Sequence, residues 1–304
     1  MTPTPLRPVY TVAGRAIVCD HPIPALAALR SDRLPDFAIR WCPVALPQQA
    51  ARVFDGMGRV GTRECQVLCL ATQSRDVLQV SGAGAFAIPH GQDRIEVDPE
   101  PGAGEAAVEE ALLGPALALA LARRGIFALH ASAVVLEGRG VIGFLGKSGA
   151  GKSTLAGLLA AEGAALAADD LLAVAAEPAG AMALPHLPQL KLGPPAMAAI
   201  AGLEPRYPLL GLYEIAPAEP GAEVACEILP AVSAAALVLR HTIAGRLFAS
   251  DLLAAHLDFA AGIAGRVAVG RLVVPRRMNV GGEVLGHLQP RRGAGIKPGV
   301  FNPR

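Results

Sequence analysis

The stretch that decides the fold of this chain is Val141–Leu145, VIGFL, followed directly by Gly146–Ser153, GKSGAGKS. The second segment fits the pattern G-x-x-x-x-G-K-[ST] at every fixed position, and the first is a short apolar run typical of a buried strand. Thr154–Ala161 continues as an apolar, alanine-rich segment, which predicts a helix. A strand, a glycine-rich turn and a helix in this order predict a loop that binds phosphate groups.

Each residue type in this loop has a chemical task. Glycines let successive backbone N–H groups point inward toward phosphate oxygens, and the following helix adds its free N–H groups and the positive end of its dipole. Lys152 supplies a mobile positive charge for the β- and γ-phosphates, and the Ser153 hydroxyl is a hard oxygen ligand suited to Mg²⁺. ATP and Mg²⁺ are therefore the expected ligands. The candidate nucleotide-binding residues are Gly146, Lys147, Ser148, Gly149, Ala150, Gly151, Lys152, Ser153 and Thr154.

A pair of acids follows the predicted helix. Ala164–Ala168 predicts a strand that ends in Asp169 and Asp170. One carboxylate could reach Mg²⁺, and the other could accept a proton from an attacking hydroxyl group. Neighbouring residues of a strand point to opposite faces, so a local bend is needed to bring both carboxylates to one site. The alternative is a solvated turn that caps a helix.

His130 is the third candidate for a catalytic role. It stands immediately before the predicted strand Ala131–Leu136, which is expected to pair with the strand that carries the loop. A single histidine is more often structural than catalytic, and both roles remain open from the sequence.

The remaining sequence predicts three parts. Residues 1–100 form a β-rich region, which is either a separate domain or extra strands on a kinase core, and residues 98–104 are expected to link it to the rest. Residues 105–290 form the loop-containing domain, which starts with a helix over Glu105–Arg124, and residues 291–304 form a loose tail. The fold class is therefore α/β. The expected strands of the first part are Tyr10–Cys19, Gln66–Ala71, Asp76–Val80 and Arg94–Val97.

The composition excludes several classes of protein. Of the 304 residues, 52% are hydrophobic and 17% are charged, and the formal net charge is +1, which excludes intrinsic disorder and argues against a nucleic-acid partner. The longest apolar run, Leu112–Ala122, is about half the roughly 20 residues that a membrane-spanning helix needs. The N-terminal MTPTPLRPVY lacks the apolar stretch of a signal peptide, so we expect a cytoplasmic protein without a membrane partner. The five cysteines are scattered and indicate neither a disulfide framework nor a zinc site.

Residues 130–174, HASAVVLEGRGVIGFLGKSGAGKSTLAGLLAAEGAALAADDLLAV, resemble the HPr kinase/phosphorylase family. The likeness is strongest to its shorter relatives, the HPr-kinase-like proteins that include kinases of lasso-peptide precursors. The features that carry the resemblance are a histidine before a strand, the glycine-rich loop, a very short helix–strand spacing and Ala-Asp-Asp. The resemblance does not extend to the N-terminal domain of the full-length family members or to their C-terminal dephosphorylation segment.

The resemblance implies a core of the HPr kinase and PEP carboxykinase type, with a mixed β-sheet, that transfers a phosphoryl group to a serine of a peptide or protein. It implies that Asp169 is the general base, that Asp170 and His130 support it or the metal, and that Ser153 and Asp170 hold Mg²⁺. Full-length relatives form rings of subunits, so a homo-oligomer is consistent with it. Lys191, in the segment Pro185–Pro195, corresponds to a basic turn of the relatives, and either a phosphate contact or a plain surface position is open.

Two other functions remain open from the sequence. One is a nucleotide-sensing binding protein with little hydrolysis, and the other is a kinase of a small molecule. Several arginines could supply positive charge to the transferred group, although any one of 23 arginines is more often a surface residue. These candidates are Arg240, Arg246, Arg271, Arg276 and Arg277.

Overall fold

The structure of the protein is a computed structural model, and it describes residues 7–61, 63–187, 194–216, 218, 221–275 and 280–288. These residues form a mixed α/β fold with two mixed β-sheets. Within these ranges, the structure has no helix that combines the length and the apolar character needed to cross a membrane. Lys191, Arg276, Arg277 and the predicted tail 291–304 lie outside the described residues.

Eight strands form the N-terminal sheet, in the order β1-β2-β3-β8-β7-β6-β5-β4. The pairs β2–β3 and β3–β8 are parallel and the others are antiparallel, which makes the sheet mixed. The strands are β1 (Val9–Val12), β2 (Arg15–Cys19), β3 (Phe37–Trp41), β4 (Ala51–Val60), β5 (Arg63–Ala71), β6 (Arg75–Val80), β7 (Gly84–Pro89) and β8 (Arg94–Pro99).

The β-rich character of the first hundred residues is as expected, but the strand bounds differ in three ways. The predicted strand Tyr10–Cys19 is two strands, because Ala13 and Gly14 both have positive φ and turn the chain between β1 and β2. Strands β3, β4 and β7 were not predicted. The predicted linker 98–104 begins inside β8, which runs through Pro99.

A bent helix lies between the two sheets. It consists of α1 (Glu105–Ala111), a π-helical turn (Leu112–Ala116) with Pro115 inside it, and α2 (Leu117–Ala122). All six residues of α2 are buried, and α2 contacts β8 of the N-terminal sheet and a strand of the second sheet. A helix that is apolar on every side must be covered on every side, so its position between the sheets explains its sequence. The two sheets share one hydrophobic core.

Seven strands form the second sheet, in the order β10-β9-β11-β12-β13-β15-β14. β10 pairs with both β9 and β13, so the pairings run from β10 through β9, β11, β12 and β13 back to β10. The strands are β9 (Ile126–Leu136), β10 (Gly140–Leu145), β11 (Ala165–Glu177), β12 (Gly180–Leu184), β13 (Tyr207–Ala216), β14 (Ala225–Ile228) and β15 (Ala268–Val273).

Two groups of helices pack on this sheet. α3 and α7 pack with the side chains of Phe144, Tyr213 and Leu272 in a second hydrophobic cluster, and α5 and α6 pack with the core that the two sheets share. A short 3-10 turn, Gly245–Leu247, joins α5 to α6. The helices are α3 (Lys152–Ala161), α4 (Pro194–Ala201), α5 (Ala231–His241), α6 (Ser250–Arg266) and α7 (Gly281–Leu288).

Candidate functional site

The glycine-rich loop, residues 146–151, connects the end of β10 to the start of α3. β10 is parallel to β13, and β13 is parallel to β15, so the carboxyl ends of these three strands meet at the same edge of the sheet. This edge is where open α/β sheets bind their ligands. The strand–loop–helix order predicted from the sequence is present.

The loop has an open backbone. Gly149 has φ +81° and Gly151 has φ +95°, a region that favours glycine, and no atom lies within 4 Å of a Cβ built at either position. Lys147, Ser148 and Gly149 are exposed, as are Ser153 and Thr154 in the first turn of α3. The loop and the N-terminus of α3 thus leave room for an anionic group, and their backbone N–H groups are suited to bind one.

Lys152 is buried and turns back over the loop. Its Nζ lies 2.9 Å from the carbonyl oxygen of Gly146, 3.2 Å from that of Lys147 and 3.2 Å from His130 Nε2. An ammonium group has three donors and no acceptor, so Lys152 donates in each of these contacts. Lys152 is therefore held beside the loop by the groups that an anion would have to displace.

His130 lies inside β9, not before it as the sequence predicted, because β9 starts at Ile126. Its Nδ1 is 3.2 Å from Asp170 Oδ1. Because the ammonium group of Lys152 can only donate, His130 Nε2 accepts, which places the ring proton on Nδ1, the atom that faces Asp170. Lys152, His130 and Asp170 therefore form a chain of polar contacts that starts at the loop.

The two acids also lie inside a strand. The expectation that the strand ends at Asp169 is wrong, because β11 runs unbroken through Glu177. The strand can continue because its polar side chains find partners on β9. Asp169 lies opposite Ser132 in the register and accepts a hydrogen bond from the buried Ser132 Oγ at 2.9 Å.

A distorted backbone brings both carboxylates to one face. His130 and Ser132 are two residues apart on β9 and so share a face, and they contact Asp170 and Asp169 respectively. Asp170 has φ +146°, where side-chain-bearing residues are rare and strained. The local bend that the sequence argument required is present, as a twist within the strand.

A second group of charged residues at this edge was missed by the sequence analysis. Glu214 on β13 lies opposite Leu145, the residue before the loop, and His241 at the end of α5 has its Nε2 3.3 Å from Glu214 Oε1. Burial lowers the pKa of His241 below its usual range, helped by the nearby charges of Arg240 and His130 and opposed by Glu214. The only sequence signal was a lone glutamate within an apolar strand segment.

The arginines that could supply positive charge to the transferred group lie in different parts of the structure. Arg240 and Arg271 both approach Glu214, with guanidinium–carboxylate distances of 3.6 Å and 3.7 Å. Arg246 instead lies over the ring of Phe54 in β4, so it belongs to the contact with the N-terminal sheet. Arg276, Arg277 and Lys191 lie outside the described part of the chain.

The donor set fits a metal held largely by phosphate. Among the described residues there is no group of three or more His, Cys, Asp or Glu side chains that could hold a metal ion. Mg²⁺ commonly takes one or two protein oxygens together with substrate phosphates. Ser153 at the start of α3 and Asp170 supply such oxygens, so the residues present fit Mg²⁺ that enters with a nucleotide.

Comparison with known proteins gives little further guidance. No protein-family model matches the chain, and no curated protein matches it. Among solved structures, the HPr(Ser) kinase/phosphatase from Coxiella burnetii is similar over 53% of this chain and 93% of that chain, with a TM-score of 0.31 and 13% identity. This likeness is too weak to assign a function to the chain.

Proposed function

We propose that this protein is an ATP-dependent kinase that transfers the γ-phosphoryl group to a serine hydroxyl of a peptide or protein. The observation that carries the proposal is the chain of polar contacts from Lys152 through His130 to Asp170, with Asp169 beside it on the same face. It joins a group suited to bind phosphate to a pair of carboxylates suited to handle a metal ion and a proton.

Nucleotide binding requires Lys152 to exchange partners. Its ammonium group leaves the carbonyl oxygens of Gly146 and Lys147 and donates to phosphate oxygens instead. Backbone N–H groups of the loop and of the first turn of α3 bind the same phosphates, and the dipole of α3 adds a favourable field.

Ser153 and Asp170 are the residues proposed to hold Mg²⁺. Bound Mg²⁺ offsets the negative charge of the phosphates and favours departure of ADP. Asp170 already lies against His130, with 3.2 Å between its Oδ1 and His130 Nδ1. His130 thereby couples the position of Lys152 to the position of a metal ligand.

Asp169 is the proposed general base. It accepts the proton of the acceptor hydroxyl group while the new P–O bond forms and the bond to the leaving ADP oxygen breaks. Ser132 donates to Asp169 Oδ1 and so helps to fix the carboxylate of the proposed base. Positioning and electrostatics supply most of the rate enhancement in this type of reaction.

The class of acceptor rests on the sequence resemblance of residues 130–174 to kinases that phosphorylate serine. A binding protein that only senses nucleotide has no need of the carboxylate pair, and the geometry around Asp169 and Asp170 therefore favours catalysis over sensing. A kinase of a small molecule would use the same residues.

Phosphoryl transfer to peptides tests the proposal directly. The full chain is incubated with Mg²⁺ and γ-labelled ATP, and with a library of serine peptides, purified HPr or a pool of hydroxylated metabolites. We expect label on a serine of a peptide or protein, and none with the Asp169→Asn variant. Nucleotide binding without transfer to any acceptor would favour a nucleotide sensor, and label confined to the metabolite pool would favour a small-molecule kinase.

A further inference from the structure

Glu214 lies within a row of residues that crosses the second sheet at the level of the glycine-rich loop. The register runs from Leu145 on β10 to Glu214 on β13, then to Arg271 on β15 and Glu227 on β14. Leu145 is the last residue before the loop. Arg271 therefore lies two strands from the loop, at the edge where the carboxyl ends of the parallel strands meet.

The end of α5 brings Arg240 to the same place. Thr242 forms a bridge with Leu129, the residue before His130, and the N–H of Ile243 donates to the carbonyl oxygen of Ala128. Arg240 is thus held near the chain of Lys152, His130 and Asp170 by the backbone that follows it.

Arg240 and Arg271, which we call the arginine pair, lie close to Glu214 but form no hydrogen bond with it. The side chains of Arg240 and Arg271 are 60% and 53% exposed, and the distances of 3.6 Å and 3.7 Å from their guanidinium groups to Glu214 exceed hydrogen-bonding distance. In the part of the chain that the structure covers, neither guanidinium makes a hydrogen bond. Each planar fork of N–H donors therefore remains able to bind a carboxylate in a bidentate manner.

The neighbouring acids set the local charge. His241 is buried and faces the Glu214 carboxylate, so it restrains that side chain between the two guanidinium groups. Glu227 is exposed opposite Arg271, and no ion pair within 4 Å joins the two in the described residues. Arg240 and Arg271 thus share the Glu214 carboxylate. The exposed Glu227 lies next to Arg271 on the neighbouring strand.

From this arrangement we infer that the arginine pair is a specificity subsite that binds a carboxylate of the acceptor close to the target serine. The inference rests on the proposed function and assigns its substrate class as serine peptides with a nearby acidic group. Glu214 and His241 act as positioning residues, since they hold the arginines without contacting the acceptor.

The test compares blocked peptides that are acetylated and amidated and differ only in Asp, Ala or Lys beside a single serine. For the wild-type chain we expect kcat/KM to be roughly tenfold higher for Asp than for Ala, and lower again for Lys. A fourth, neutral peptide with a free C-terminal carboxylate shows whether a chain terminus can replace the side chain.

The variants separate this subsite from the reaction itself. The double variant Arg240→Gln, Arg271→Gln should lose the preference for Asp without a change in the KM for ATP, and Arg271→Glu should favour Lys. Glu227→Gln should strengthen the preference for Asp. Arg206→Gln is the matched control, because Arg206 is also an exposed arginine in an ion pair, with Glu177, but lies just before β13 begins, at the opposite end of that strand from the loop.

Fluorescence anisotropy with labelled versions of the same peptides measures binding directly. It tests the subsite even if the protein transfers no phosphoryl group. Tighter binding of the Asp peptide by wild-type protein than by the double variant supports the subsite, even if no phosphoryl transfer occurs and the proposed function fails. Equal binding and equal kcat/KM for all peptides would overturn the subsite while leaving the kinase intact. An equal loss of kcat for every peptide in the double variant would also overturn it, since the arginines would then act on the transferred group.

Discussion

Lys152 Nζ lies 3.2 Å from His130 Nε2, so the lysine of the glycine-rich loop is joined directly to a histidine of a neighbouring strand. The same histidine contacts Asp170 through its other ring nitrogen at 3.2 Å. The group proposed to bind phosphate and the acid proposed to hold the metal therefore contact one imidazole. If a bound nucleotide draws Lys152 away, His130 Nε2 loses this donor while Nδ1 keeps its contact with Asp170.

Removal of the lysine charge should weaken nucleotide binding most. Charge-assisted hydrogen bonds contribute roughly 1.5–3 kcal/mol each, so Lys152→Ala should lower the affinity for ATP by about 10- to 100-fold and abolish transfer. Isothermal titration with Mg²⁺-ATP measures the affinity. Lys147→Ala is the control, because its side chain is exposed and only its carbonyl oxygen contacts Lys152. Equal losses in the two variants would contradict the assignment.

Substitutions of Asp169 and Asp170 should affect different steps of the reaction. Asp169→Asn should reduce the transfer rate by about 10²- to 10⁴-fold while leaving the affinity for nucleotide nearly unchanged, because a lost general base affects only the chemical step. Asp170→Asn should instead raise the Mg²⁺ concentration needed for activity. Single-turnover rates at a series of Mg²⁺ concentrations distinguish them. If Asp169→Asn turned over at the wild-type rate, the base would have to be sought elsewhere.

Substitution of Ser132 should lower the rate of phosphoryl transfer and leave the binding of ATP unchanged. Ser132→Ala removes the donor to Asp169 Oδ1, which frees the carboxylate to rotate, and we expect kcat to fall by about tenfold with an unchanged KM for ATP. Ser132→Thr retains the hydroxyl group and should restore most of the rate. A purely structural role would predict similar thermal destabilisation in the two variants and no recovery of kcat with threonine.

The junction between the bent helix and the N-terminal sheet contains a buried ion pair. Arg123 Nε and Nη2 lie 2.7 Å and 2.8 Å from the two oxygens of Asp76, which is 1% exposed. Arg123→Ala should cost about 3–5 kcal/mol in the free energy of unfolding, because it leaves a buried carboxylate without its main partner. Arg124→Ala, which breaks the more exposed contact with Asp93, should cost about 0–1 kcal/mol. Urea denaturation of both variants provides the comparison.

His256 should make the protein less stable in mild acid. Burial lowers its pKa, and it stacks on Phe127 with ring centroids 5.2 Å apart. The unfolded chain therefore takes up a proton before the folded chain does, and stability falls as the pH drops below the unfolded value of about 6.5. His256→Leu removes this group, so its Tm should fall less than that of the wild type between pH 7.5 and pH 5.5 in thermal melts. An identical fall in both proteins would show that His256 does not titrate in this range.

The sequence predicted the parts of the site that depend on neighbouring residues. The strand, loop and helix around Lys152 follow from local glycine spacing and apolar runs, and the structure has them in that order. The strands that carry His130 and Asp169 were also recognised, but their bounds were wrong. Polar residues were taken as strand ends, whereas they pair with each other across β9 and β11 and allow both strands to continue.

The residues that the sequence did not reveal are those that the topology brings from far along the chain. Glu214 and His241 meet beside Leu145 only because β13 runs parallel to β10 and α5 returns to β9. Ser132 carries no signal, since a serine in an apolar strand is common. Strands β3, β4 and β7 were missed because their mixture of small, charged and aromatic residues does not alternate clearly.

The strand pairings in the second sheet form a closed ring of five strands, β10, β9, β11, β12 and β13. An open sheet can accommodate a ligand by sliding or untwisting an outer strand, but strands that pair all the way around oppose such shear. We therefore expect the strands that carry His130, Asp169 and Glu214 to shift little when a ligand binds, so that any adjustment falls to the exposed loop and to the side chains of the site.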